Sequence, residues 1–228
     1  MVIRSLGHAC FVVSDGEHSV ILDPFLTDNP EAVVTPDEVQ VDAVLPSHGH
    51  SDHLGDAIPI AKRLGVPIVA PYELAMYCQR HGAEVVPLHI GGGTDLAFGR
   101  VKLTFATHGS AVVSDTLIEY TGPACGFLVT MRGQTVYYAG DTGLFGDMRL
   151  IGETTPIDVA ILPIGDHFTM GIEDAVRAVG FLQPKAVVPT HYSAFEPIRK
   201  DPYAFAERVQ ALGVRCEVLA PGREARFD

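Results

Sequence analysis

The sequence predicts an α/β protein, α+β in its strand-first order, built as a four-layer αββα sandwich. Three observations carry that prediction. Short apolar runs bounded by Gly, Pro and Asp read as strands. Apolar residues at helical spacing follow several of those runs. The order, strands first and then alternating strand and helix, occurs twice. Two sheets packed face to face with helices outside is the arrangement that buries both sets of apolar faces.

In the first half, residues 2–6, 10–13 and 19–22 read as strands separated by Gly and Asp turns, and residues 42–46 as a buried strand around Ala43-Val44-Leu45. Leu54, Ala57, Ile58, Ala61 and Leu64 recur at helical spacing, and Gly65 and Pro67 stop that helix. Residues 66–70 return as a strand and 72–81 as a helix. In the second half, 101–106 is a strand. Residues 126–131 and 135–139 flank Arg132-Gly133, the signature of a hairpin. Residues 159–163 and 186–189 are strands. Ala175, Val176, Val179 and Leu182 mark one helix, and Phe205, Val209 and Leu212 another. Gly91-Gly92-Gly93 reads as a loop at the waist. The expectation is one domain over 1–228 with pseudo-symmetric halves of about 1–92 and 93–228.

Composition narrows the class. Of 228 residues, 47% are apolar and 19% charged, which supports a sizeable core and argues against disorder. The net charge is −12, so a nucleic-acid grip is disfavoured, because phosphate contacts need clustered Lys and Arg. The four Cys are scattered without a C-x-x-C pair and read as reduced core thiols. The first residues lack a charged-then-apolar signal pattern. No apolar run approaches the roughly 18 residues of a membrane helix. A cytoplasmic protein without a membrane partner is the expectation. Ten His beside 28 carboxylates hint at metal chemistry.

That hint becomes specific at Pro46-Ser47-His48-Gly49-His50-Ser51-Asp52-His53-Leu54, between a buried strand and a helix. Four ligand-type side chains fall within six residues. On a regular strand His48, His50 and Asp52 share a face and His53 points away. Where the backbone curls into a helix, the pairs can face two neighbouring metal positions. A polar surface loop is the bland alternative, but this spacing has no packing purpose. Three more strands end in single ligand-type residues: His108 in Thr107-His108-Gly109, Asp141 in Gly140-Asp141-Thr142-Gly143, and His191 in Thr190-His191-Tyr192. A lone strand-end His is more often a turn residue. Recurrence at four strand ends argues for one shared site, since ligand sites gather at strand C-termini.

These residues resemble the signature of the metallo-β-lactamase superfamily of metal-dependent hydrolases, together with Asp23 in Ile21-Leu22-Asp23-Pro24. The resemblance spans nearly the whole chain, and the short intervals between motifs leave no room for the extra domain of the RNA-processing branch. More narrowly, the chain is similar to small metal-dependent hydrolases related to ascorbate-phosphate lactonases. Leu6-Gly7-His8-Ala9-Cys10, Asp23-Pro24-Phe25-Leu26, Gly140-Asp141-Thr142-Gly143-Leu144-Phe145 and Pro163-Ile164-Gly165-Asp166-His167-Phe168-Thr169-Met170-Gly171 carry that likeness.

The resemblance implies the metallo-β-lactamase fold and a dinuclear centre. His48, His50 and His108 would hold one divalent ion, Asp52, His53 and His191 the other, and Asp141 would bridge them. Zinc is the first choice, with manganese, iron or nickel admitted by the same imidazole and carboxylate donors. A metal-bridging hydroxide is the implied nucleophile, which gives Asp52 and Asp141 a catalytic as well as a ligating place. Asp23 would support the metal loop from behind, or else be a plain turn residue before Pro24. His8 would be a supporting donor or a pocket wall. His167 would transfer a proton to a leaving group or bind substrate. Thr169 suits a cap for the following helix better than His167 does.

His18, His81 and His89 lack such contexts. Arg199 and Lys200 stand near His191 in sequence, as surface charges or as contacts to a substrate anion. A positive centre in an acidic chain selects a small, anionic ester, lactone or phosphodiester. A nuclease acting on short strands and a non-catalytic metal-binding module are the alternatives. A homo-oligomer is compatible with the resemblance.

Overall fold

A computed structural model describes all 228 residues. The first sheet receives β1 (Val2–Gly7), β2 (Cys10–Ser14), β3 (Ser19–Leu22), β4 (Ala43–Leu45), β5 (Ile68–Pro71) and β6 (Val85–Leu88). The helices α1 (Ser51–Leu54), α2 (Ala57–Leu64) and α3 (Tyr72–Arg80) lie between β4 and β6 in the chain. The second sheet receives β7 (Gly93–Leu96) and β8 (Gly99–Phe105). A separate two-stranded hairpin, β9 (Ala111–Val113) and β10 (Ile118–Tyr120), comes next. Then follow β11 (Cys125–Met131), β12 (Gln134–Tyr138), α4 (Met148–Thr154), β13 (Val159–Pro163), α5 (Ile172–Leu182), β14 (Ala186–Thr190), α6 (Pro202–Ala211) and β15 (Arg215–Cys216). The last strand, β16 (Glu224–Arg226), returns to the first sheet beside β1.

Strand order is β16-β1-β2-β3-β4-β5-β6 in one sheet and β15-β14-β13-β12-β11-β8-β7 in the other. Side chains alternate across each strand, and the alternation builds the layers. Val20 and Leu22 of β3 join the core between the sheets, while Ile21 joins the core beneath α2 and α3. On the other side, Val136, Tyr138, Val159, Ile161 and Val188 face the first sheet. Tyr137, Ala160, Leu162 and Val187 face α5 and α6. Strands buried on both faces read as continuous apolar runs, as β13 and β14 do. The result is the predicted αββα sandwich.

The local departures have physical reasons. The helix expected to run from Leu54 through Leu64 is broken at Gly55, whose φ of 41° ends α1 before α2 begins. A Cβ there would meet the Pro24 carbonyl oxygen at 2.6 Å, so the break lets the His48–His53 segment and the Asp23 loop touch. Arg132 and Gly133 both have positive φ, as the tight β11–β12 turn requires. Helix α5 starts after Gly171 without a side-chain cap, so neither His167 nor Thr169 serves as one. The β9–β10 hairpin, α4 and β16 are too short to show a period in sequence. No helix is long and apolar enough to cross a membrane. All four Cys are buried and unpaired, and burial pushes the Cys78 and Cys216 thiols up to about 12.

Candidate metal centre

Topology explains why six separated segments meet. Strands β1, β3 and β4 run in one direction within the first sheet, as β8, β12 and β14 do within the second. His8 follows β1, Asp23 follows β3, and the His48–His53 block follows β4. His108, Asp141 and His191 follow β8, β12 and β14. All six segments therefore leave their strands at carboxyl ends, where open α/β sheets place ligands.

The block after β4 is braced by Asp23. Its carboxylate accepts the Ser47 backbone N–H at 2.6 Å, the Ser47 hydroxyl at 2.7 Å and the Tyr138 hydroxyl at 2.6 Å. It also lies 2.6 Å from His53 Nδ1. The Ser47 hydroxyl, having donated to Asp23, accepts from His48 Nδ1 at 2.9 Å. In both rings Nδ1 thus carries a proton, which leaves Nε2 as the nitrogen available to an ion. Asp23 itself is fully buried and fully engaged, with φ of 42°. His8 and His191 are likewise left-handed, with φ of 53° and 57°. Non-Gly residues there cost of order 1–3 kcal/mol and cluster at functional sites. His8 is pinned by its N–H to Glu31 (2.9 Å) and by its carbonyl to the Thr190 hydroxyl (2.9 Å).

Asp23, His48 and His53 also lie within ligating reach of one another, but Asp23 is taken up by its bracing contacts, which leaves two groups of donors. In one, His48, His50 and His108 offer nitrogens within 4.8 Å of one another. Gly49 lets this group form, because a Cβ there would overlap the Thr121 hydroxyl. The Gly49 N–H donates to Ser110, which fixes the His108 loop against the block. In the other group, His8, Asp52, His53 and His191 lie within the same limit. One oxygen joins the groups: Asp141 Oδ2 is 3.2 Å from His191 Nε2, 3.3 Å from His53 Nε2 and 3.6 Å from His108 Nε2. Asp52 Oδ2 is 3.6 Å from His53 Nε2, 3.8 Å from His191 Nε2 and 3.2 Å from His8 Nε2.

These spacings fit metal ions. Donors about 2.1 Å from a tetrahedral ion stand about 3.4 Å apart. The buried Nε2 atoms of His53 and His191 have no hydrogen-bond partner. Leaving such atoms unpaired costs about 1–3 kcal/mol each, a penalty that ligation removes.

Protonation differs between the groups. Burial holds His48 well below the ordinary imidazole value, aided by the neighbouring rings, and lowers His50 and His108. For His191, burial pulls downward, but Asp141 and Asp52 overcome it and raise the ring to about 9. His53 is raised well above its usual value, because Asp141, Asp23 and Asp52 outweigh burial. Burial opposes ionisation of Asp52 and Asp141, and the surrounding imidazoles prevail and hold both below the usual carboxylate range.

The other candidates fall outside this cluster. His167 is exposed and does not line the cavity over the centre, which is about 180 Å³ and bounded by His50, Asp52, His108, Asp141, Phe168 and His191. Its neighbour Phe168 takes that place. Lys200 is tied to Asp166 at 2.9 Å, and Arg199 is exposed. His81 Nδ1 bonds the Tyr77 carbonyl, His89 stacks on Tyr72, and His18 sits in the turn after β2. Tyr138 and Ser47, which brace Asp23, do not stand out in the sequence. Tyr138 reads there as one more core aromatic, and only its hydroxyl contact reveals the role. A larger cleft of about 220 Å³, between β8 and α4, holds no cluster of metal-type donors.

Comparison with known proteins shows the family. A family model described as "Beta-lactamase superfamily domain" matches residues 18–192. The chain belongs to the metallo-β-lactamase superfamily of metal-dependent hydrolases. A UPF0173 metal-dependent hydrolase of Bacillus licheniformis is 52% identical over 229 residues, covering 100% of both chains. One from Thermus thermophilus is 46% identical over 226 residues, covering 99% of each. The structure of Igni18, a metallo hydrolase from Ignicoccus hospitalis, superposes with a TM-score of 0.91 at 36% identity, covering 100% of this chain and 98% of that one. An isothiocyanate hydrolase from Delia radicum gut bacteria shares the fold, with a TM-score of 0.78 at 21% identity over 100% of this chain and 99% of that one.

Proposed function

We propose that this metal-dependent hydrolase works with two divalent ions and cleaves a small ester, lactone or phosphodiester. The observation that carries the reading is Asp141 Oδ2, within 3.6 Å of nitrogens from both donor groups. His48, His50 and His108 would hold one ion, Asp52, His53 and His191 the other, with Asp141 between them. When bound, such ions supply a water acidified toward neutral pH and polarise the scissile carbonyl or phosphoryl oxygen.

The chain's own residues prepare the site. Asp23 fixes the tautomers of His53 directly and of His48 through Ser47, as carboxylate–histidine pairs do behind metals. His8 Nε2 donates to Asp52 and holds that carboxylate toward His53 and His191. Its own strained backbone, pinned from two sides, makes this a positioning role. Two divalent ions against Asp52 and Asp141 leave the centre net positive within a chain of charge −12. That pattern draws a small substrate with an electron-rich reacting group and repels a long polyanion. The donor set, with no Cys, suits zinc, manganese, iron or nickel.

The test has two arms. Elemental analysis of protein purified without added metal should find two ions per chain. Zinc-loaded and manganese-loaded enzyme should then turn over members of a panel of lactones and phosphodiesters. If His48→Ala and Asp141→Asn hydrolyse every substrate as fast as the wild type does, the catalytic reading is wrong. One ion per chain at saturating metal would exclude the dinuclear form.

A further inference from the structure

We propose that the non-reacting part of the substrate is a small uncharged apolar group packed on the ring of Phe168, and that His167 positions that ring. The inference rests on the hydrolase reading above and narrows its substrate class.

Of the six residues bounding the cavity over the metal centre, five are the proposed ligands His50, Asp52, His108, Asp141 and His191. Phe168 is the sixth, and so is the one wall free to recognise the rest of a substrate. Its side chain is 57% exposed, although exposure alone says little, since single exposed apolar residues are common. The loop beneath it says more. Asp166 is left-handed, with φ of 72°, and its N–H donates to the Met170 carbonyl at 3.0 Å. The Met170 N–H in turn donates to the Thr142 carbonyl at 2.9 Å, next to Asp141. Lys200 clamps the Asp166 carboxylate from outside. The His167 ring stands edge-on to Phe168, with centroids 4.5 Å apart and planes at 90°, an orientation aromatic rings favour. The ring is therefore held at the mouth by a constrained turn anchored to the metal loop.

The charges point the same way. No Lys or Arg bounds the cavity, and the nearest cation in this loop system, Lys200, is engaged with Asp166. A second anionic group on the substrate would find no counter-charge beyond the metal ions, so the negative charge expected from the sequence is confined to the reacting group. Size agrees as well. Cavities of about 150 Å³ can hold benzene. Here about 180 Å³ takes the ions and the scissile group, and the apolar group lies at the open mouth along exposed Phe168, where a short alkyl chain has room to extend.

Three lactones separate the possibilities: γ-butyrolactone, the same ring carrying a hexyl chain, and the same ring carrying a carboxylate. Proton release would be followed with metal-loaded wild type, Phe168→Ala, Phe168→Leu, His167→Ala and His167→Phe. The wild type should prefer the hexyl lactone to the unsubstituted one in kcat/KM by roughly 10- to 100-fold, the discrimination that apolar contacts supply. Phe168→Ala should bring that ratio close to one, and Phe168→Leu should retain most of it. His167→Ala should raise KM for the hexyl lactone with little change in kcat, and His167→Phe should restore it. Preference for the carboxylate lactone, or an unchanged hexyl ratio in Phe168→Ala, overturns the inference while leaving the hydrolase reading intact. No turnover of any lactone by loaded wild type removes lactones from the proposed function and this inference with them.

Discussion

The two donor groups of the centre are only a few ångströms apart, yet they are built differently. His48, His50 and His108 form an all-imidazole group, with His50 and His108 partly open to solvent. Burial keeps these rings neutral, so they can accept an ion without losing protons. Asp52, His53 and His191 form a carboxylate-rich group braced from behind by Asp23, Ser47 and Tyr138. There the carboxylates draw protons onto His53 and His191 in the metal-free chain. The difference teaches that one motif can supply two sites with different proton chemistry, because the fold surrounds its halves with different charges.

The sharpest way to break the comparison is to remove what the groups share. Asp141→Asn should lower kcat by on the order of 10³-fold or more, in the range seen when central electrostatic groups are lost. Elemental analysis should show ion loss from both groups together. If one ion stays at full occupancy, Asp141 belongs to one group alone.

Asp23→Asn should act mainly on the braced group. An amide cannot accept from Ser47, Tyr138 and His53 as the carboxylate does, so buried donors are stranded. A loss of about 3–5 kcal/mol in stability is expected, read from denaturant midpoints. In whatever folds, affinity for one ion should fall about 10- to 100-fold. Equal weakening of both ions in a metal titration would show that the bracing reaches His48 through Ser47 as strongly as it reaches His53.

Proton linkage separates the groups without mutation. The raised pKa of His191, about 9, lies above an unfolded value near 6.5. Its imidazolium therefore stabilises the metal-free fold fully below pH 6.5, and that contribution is lost as pH rises through about 9. Ligation must displace this proton, so affinity for one ion should climb with pH until about 9. Affinity for the other should stay nearly flat above neutrality. Calorimetry in buffers of different ionisation enthalpy measures the protons released, and two ions releasing equal numbers would erase the distinction.

Tyr138→Phe makes the smallest change. It removes one of the three side-chain contacts to Asp23 Oδ2 and leaves the ring packed between the sheets. About 1 kcal/mol of stability should be lost. Affinity at the carboxylate-rich group should weaken only modestly, by less than in Asp23→Asn.

Much of this centre is legible in the sequence. The His48–His53 block is visible because its ligand-type residues are local in the chain. Asp141 and His191 are visible because each follows a strand buried on both faces, which reads as an apolar run, and His108 because it follows β8, where buried Val101 and Leu103 alternate with exposed Arg100 and Lys102. The same logic misplaces His167. It follows β13 as the others follow their strands, but the left-handed turn at Asp166 carries Phe168, not His167, to the cavity. A positive φ at a non-Gly residue leaves no mark in sequence. The β16 strand, which crosses back beside β1, is equally hidden, since three residues define no period.

The sequence alone determined the layered α/β class, the ligand-type side chains and their places at strand ends. Alternation and apolar runs encode which faces are buried, and ligand chemistry is a property of residue type. Only the tertiary structure decided how these side chains group. One oxygen of Asp141 meets imidazoles from both groups, and Asp23 reaches His53, Ser47 and a tyrosine 115 residues away. Those contacts depend on how the two sheets pack, and so do the burial and charge that set each ring's proton.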